Sequence, residues 1–183
     1  MIDDTNQRLM RLEARAEIRE LITLYGIAVD DRDMDLLKSL FTDDVHLILS
    51  RAQNIEANGI DEVMNVYDKL LRKRGATYHW THDVIIRVED DDGASGLVLA
   101  HAETSPDGTA LIVGLRYKDR YRFVDDRWKF AERRLQYLYS MPPHSYAERF
   151  PTDKRVYAND SWQTADIPET LECWSEFFSR KMD

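Results

Sequence analysis

Cysteine is nearly missing from this chain: Cys173 is the only one in 183 residues. One thiol forms no internal disulfide, and CxxC redox motifs and cysteine-held metal clusters are excluded with it. Glycine and proline are sparse, 7 and 5 residues. No phosphate-cradling glycine loop and no GxSxG elbow occurs, so nucleotide-binding and serine-hydrolase chemistry lose their usual support. No apolar run approaches the roughly 20 residues that span a bilayer. The opening Met1-Ile-Asp-Asp-Thr-Asn lacks the basic and apolar regions of a signal peptide, so the cytoplasm is the expected location. Positive charge is outnumbered, 25 Lys plus Arg against 34 Asp plus Glu, for a net charge of −9. Such a surface suits neither nucleic acid nor an anionic membrane.

What is present is 43% hydrophobic and 32% charged, the balance of a soluble globular protein with one sizeable core. From about Leu9 to Val29, apolar Ile18, Leu21, Ile22, Tyr25 and Val29 recur at helical spacing, and Asp30-Asp31-Arg32-Asp33 ends the pattern. Asp33 reads as the N-cap of a second helix over Met34 to Phe41. Thr42-Asp43-Asp44 reads as a turn before a short strand, Val45 to Leu49. A third helix is expected over Ile60 to Arg74, with Gly75 as its C-cap.

From Thr77 the period drops to two. Trp80, His82, Val84, Ile86 and Val88 alternate with more polar residues, and further strands follow over Gly96 to Thr104, Ala110 to Val124 and Trp128 to Tyr139. Helices followed by consecutive hairpins indicate an α+β fold with an antiparallel sheet curled over the helices. After Pro142-Pro143, residues 144–168 read as irregular, and a terminal helix from Pro168 or Glu169 to Arg180 has Leu171, Trp174, Phe177 and Phe178 to bury. The expected division is therefore a barrel over 1–140 and an extension over 141–183, docked on the barrel or on a neighbouring subunit.

Few residues offer chemistry. His79 and His82 sit three apart on a strand and so face opposite ways, and two histidines are too few for a metal site; no metal and no cofactor are expected. Asp30 falls at the end of the first helix, where unpaired carbonyls present partial negative charge. His79 opens the first long strand, on the face opposite Trp80, and histidine is the side-chain type suited to proton transfer near neutral pH. Together with Tyr25 these are candidates for proton transfer. Spacing alone leaves Asp31 as good a candidate as Asp30, a strand histidine is usually structural, and a tyrosine at helical spacing is usually core.

The run Ala14-Arg-Ala-Glu-Ile-Arg-Glu-Leu-Ile-Thr-Leu-Tyr25-Gly-Ile-Ala-Val-Asp30 through Phe41-Thr-Asp-Asp44 resembles the opening of SnoaL-like proteins of the nuclear transport factor 2-like superfamily. Tyr117-Lys-Asp-Arg-Tyr-Arg-Phe-Val-Asp-Asp-Arg-Trp128-Lys-Phe-Ala-Glu-Arg-Arg134 resembles their closing hairpin. The likeness covers residues 8–140, and within the superfamily it is greatest to the branch of scytalone dehydratase, hexachlorocyclohexane dehydrochlorinase and bile-acid dehydratase. It implies a cone-shaped α+β barrel with an apolar pocket, commonly a homotrimer, acting on a small molecule.

The resemblance also implies site residues. Asp30 and His79 stand where that branch carries its aspartate and histidine, and Tyr25 matches a tyrosine of the bile-acid enzyme. His101 corresponds loosely to a second histidine. Trp80 and Tyr137 complete the expected substrate contacts. The branch's arginine on the last strand has no clear match here, Arg133 and Arg134 being nearest. The implied activity is a cofactor-independent lyase, a dehydratase or related elimination that includes carbon–carbon cleavage releasing a small aldehyde. The alternatives are an isomerase or polyketide cyclase on the same fold, or the small subunit of a ring-hydroxylating dioxygenase.

Overall fold

The structure, a computed structural model, describes residues 2–89 and 92–180. Its first element, α1 (Ile2–Asp31), is longer than the apolar pattern alone marks out. The extra N-terminal turns are polar, and Leu9, Met10 and Leu12 there are exposed; burial begins at Ala14. From that point Ile18, Leu21, Ile22, Tyr25, Ala28 and Val29 form one buried face. Helix α2 (Met34–Ser39) starts at Asp33, whose Oδ1 accepts the Leu36 backbone N–H at 2.9 Å.

Strand β1 (Phe41–Ile48) absorbs the segment expected to be a turn, because Phe41, Thr42 and Val45 are all buried. Strand β2 (Glu56–Asn58) and α3 (Ile60–Arg72) follow, with Gly59 between them at φ 80°, a conformation that favours glycine. The third helix stops at a Lys73 C-cap, earlier than expected. Gly75 belongs instead to β3 (Arg74–Val88).

β3, β4 (Gly93–Pro106), β5 (Leu111–Val124) and β6 (Arg127–Met141) are an antiparallel meander. The sheet order is β2-β1-β6-β5-β4-β3, with β1 parallel to β6. Irregularities in register at Thr81/Val84, Gly114/Leu115 and Arg120/Tyr121 bend these long strands. The result is a curved, unclosed sheet wrapped over α1 and α3, the cone expected from the sequence.

The segment after Met141 is more ordered than its composition suggests. A 3₁₀ turn (Pro143–Ser145), α4 (Tyr146–Arg149), β7 (Val156–Ala158), β8 (Ser161–Gln163) and α5 (Glu172–Ser179) follow one another. β7 lies parallel to the end of β6, at Ser140 and Val156, and pairs with β8. Two polar clips hold this tail. The Asp166 carboxylate accepts the backbone N–H of Arg51 at 3.0 Å and of Tyr137 at 2.7 Å. Arg155 donates to the Leu138 and Ile167 carbonyls and to both Glu169 oxygens, each of the latter at 2.8 Å. Helix α5 behaves otherwise than its pattern implied: Trp174, Phe177 and Phe178 are exposed rather than buried. Among the described residues no helix is long and apolar enough to cross a membrane.

Candidate active site

The end of α1 and the start of β3 meet where Asp30 faces His79. Asp30 Oδ1 accepts from His79 Nδ1 at 2.6 Å, and Oδ2 accepts the His79 backbone N–H at 2.8 Å. Both side chains are mostly buried, 17% and 16% exposed. A carboxylate accepts only from an N–H, so Nδ1 carries a proton, and in the neutral imidazole the lone pair is then on Nε2. Nε2 has no partner among the described residues. The close approach depends on Gly26: a Cβ there would stand 3.3 Å from the His79 Cβ.

Arg32 stitches the two elements together and was not singled out from sequence. Its Nη1 donates to the Val29 carbonyl at 2.7 Å, the Asp30 carbonyl at 3.1 Å and Thr77 Oγ1 at 2.6 Å; Nη2 donates to the Gly75 carbonyl. The helix carbonyls expected to leave negative potential around Asp30 are thus covered by a guanidinium. A cation just past a helix C-terminus is the sequence signal for this role.

His79 lines an inner cavity of about 80 Å³ with Tyr25, Thr77, Tyr117 and Tyr137, closed by apolar side chains such as Val29, Leu47, Val113 and Leu135. The Tyr25 hydroxyl lies 3.0 Å from that of Tyr67. Burial pushes the Tyr67 and Tyr117 phenols well above their ordinary range, so both stay protonated. Tyr137 donates to Gln53 Oε1 at 3.2 Å, and burial raises its phenol too.

Two expected contacts do not reach this cavity. Trp80 is 57% exposed, on the outer face of the sheet. His101 also points outward, since its neighbours Ala100 and Ala102 are the buried ones, and its Nδ1 lies 2.6 Å from His82 Nε2. The break in register between Thr81 and Val84 is the reason alternation misleads here. Thr77 and Ile86 are both buried in the core although they are nine residues apart, so strict alternation cannot hold between them. His82 is exposed and bonds to His101 rather than to the candidate pair, and among the described residues no three metal-ligating side chains cluster.

Below the cavity Arg133 is buried, 1% exposed, and holds Asp119 through two bonds of 3.0 Å. Its guanidinium stacks on the rings of Tyr25, Tyr117 and Phe130 at 3.9, 4.0 and 4.2 Å. Burial works against the Arg133 charge, but Asp119 more than offsets it. Burial likewise raises the Asp119 carboxyl, with Arg133 opposing. Arg133 thus faces inward but underlies the aromatic floor rather than the cavity surface.

An α+β cone enclosing an apolar cavity, with a histidine held by a helix-end aspartate on its wall, is an architecture of the nuclear transport factor 2-like proteins. The chain belongs to the SnoaL-like domain family, whose profile matches residues 10–134. Among solved structures it is similar to a candidate scytalone dehydratase from Novosphingobium aromaticivorans, with 20% identity, 74% of this chain and 91% of that one covered, and a TM-score of 0.68. It is similar also to hexachlorocyclohexane dehydrochlorinase LinA-type3 from Novosphingobium barchaimii, with 20% identity, 74% and 93% coverage and a TM-score of 0.67. Kfla4162 from Kribbella flavida is a third, with 20% identity, 73% and 97% coverage and a TM-score of 0.67. No curated protein matches the sequence closely enough to count as a relative.

Proposed function

We propose that the protein is a cofactor-independent lyase that eliminates water, or an equivalent leaving group, from a small apolar aromatic or alicyclic compound. The observation that carries the reading is the 2.6 Å bond from His79 Nδ1 to Asp30 beside an apolar cavity. Asp30 holds the ring in the tautomer that leaves Nε2 basic and stabilises the imidazolium once a proton is taken. His79 removes a proton from carbon, the C–H electron pair forms the double bond, and the bond to the leaving oxygen breaks. Tyr25 and Tyr67 share one hydrogen bond, so whichever phenol accepts it keeps its own O–H for the departing oxygen. A carbonyl beside the acidic carbon is the natural activating group, because it delocalises the electron pair left behind by the proton.

The dehydrochlorinase and dehydratase descriptions of the similar structures support the elimination class. A homotrimer belongs to the same proposal: the outer sheet face exposes Tyr78, Trp80, Ile85 and Leu99. A sedimentation run showing monomer alone removes that part.

The test is a panel of aromatic and alicyclic β-hydroxy ketones, followed by the absorbance of the conjugated product and by mass spectrometry. Loss of water identifies a dehydratase, whereas a product of unchanged mass identifies an isomerase. His79→Ala is expected to slow turnover about 10²–10⁴-fold. Turnover within a few-fold of the parent ends the general-base reading.

A further inference from the structure

The inner cavity holds only the reacting end of a ligand. At about 80 Å³ it lies below the 300–1,000 Å³, roughly, of pockets that enclose drug-sized molecules. A second cavity of about 460 Å³ adjoins it and is walled on its far side by Tyr157, Ala158, Asn159 and Asp160 of the tail hairpin. The two share five residues: Gln53, Leu70, Arg74, Thr104 and Tyr137. These five form a neck, and its polar members are unevenly satisfied. Gln53 and Tyr137 bond to each other. Thr104 Oγ1 is buried with no hydrogen-bond partner. The Arg74 side chain makes no hydrogen bond or ion pair among the described residues, although its carbonyl accepts from Arg32. Lys73, Asp107 and Asp160 also line the outer cavity, yet neither carboxylate pairs with Arg74.

A half-buried guanidinium without a partner, at the joint of two cavities, has the chemistry to take an anion attached to a larger ligand. We infer that the substrate is bipartite, with a compact reacting end at His79 and a carboxylate-bearing remainder that passes the neck and sets its charge on Arg74. The inference rests on the elimination reading for the location of the reacting end, but not for the anion site. The tail hairpin then has a direct role, as the outer wall of the substrate channel.

The probes are the phenylalkanoates from phenylacetate to 6-phenylhexanoate and their primary amides, titrated calorimetrically into the full-length protein. At least one acid is expected to bind about ten- to a hundredfold tighter than its amide, the range of a charge-assisted hydrogen bond. Arg74→Gln should erase that preference with the melting temperature unchanged, and Arg74→Lys should restore part of it. Equal binding of acid and amide, a preference that survives Arg74→Gln, or no binding by any member overturns the proposal. His79→Ala keeps the preference for the acid if the anion site is as described. A failure of the general-base reading therefore shows in turnover and a failure of this one in binding.

Discussion

Replacing Asp30 with asparagine tests the central geometry with little change in shape. The parent carboxylate accepts two hydrogen bonds from residue 79, at 2.6 Å from the ring and 2.8 Å from the backbone. An asparagine oxygen still takes one of them, most simply the backbone N–H. Its NH₂ then faces Nδ1 and needs an acceptor there, so the imidazole proton moves to Nε2. The nitrogen that should act as base becomes a donor, and the counter-charge for the imidazolium is gone. General-base catalysis supplies about 10²–10⁴-fold, so turnover should fall into that range below the parent. Both hydrogen bonds persist but neither is charge-assisted any longer, so stability should drop by only about 1–3 kcal/mol and the fold should survive. The assay needs no substrate: long-range ¹H–¹⁵N correlation on the imidazole reports the tautomer directly. The parent should show the Nδ1–H form of His79 and the variant the Nε2–H form. An unchanged tautomer in Asp30→Asn, or turnover within a few-fold of the parent, refutes the reasoning.

Arg32→Met removes the donors that bind α1 to the start of β3. About 1–3 kcal/mol of stability should go with them, seen as a melting temperature several degrees lower. Arg133→Met should cost more, about 3–5 kcal/mol in chemical denaturation, because Asp119 is left charged and buried. Arg133→Met combined with Asp119→Leu should recover most of that loss, and a double variant no more stable than the single one contradicts the account. Hydrogen bonds from Arg155 hold the Glu169 carboxyl below its ordinary 4.5. A depressed folded value stabilises above the unfolded one and is lost as pH falls through the folded one. The tail should therefore loosen only below about pH 4.5, detected as faster proteolysis after Met141, with Glu169→Gln abolishing the pH dependence.

Much of the cone was legible from period alone. Burial every third or fourth residue from Ile18 to Val29 requires a helix, and the hairpins announce themselves at Pro106-Asp107-Gly108 and Asp125-Asp126, where four residues take positive φ. Asp30 and His79 were named through the family resemblance, since spacing alone left Asp31 as good a candidate; in the structure Asp30 stands one residue before the end of α1 and His79 sits inside β3. The structure decided what alternation cannot. A strand pattern says which residues share a face until a bulge intervenes, and the one between Thr81 and Val84 broke the single face drawn through Trp80, His82, Val84, Ile86 and Val88. His101 looked like a far-wall residue, yet its strand turns it outward toward His82. Arg133 was only one of two near matches to the branch's arginine and Asp119 was not singled out; their meeting across β5 and β6 is what makes burial of both charges tolerable. Arg32 and Arg74 likewise acquire their meaning from neighbours more than 40 positions away in one case and from a joint between two cavities in the other. Local chemistry writes the period of each element and the residue types at its ends. Which polar groups are enclosed together depends on long-range packing, which no local pattern records.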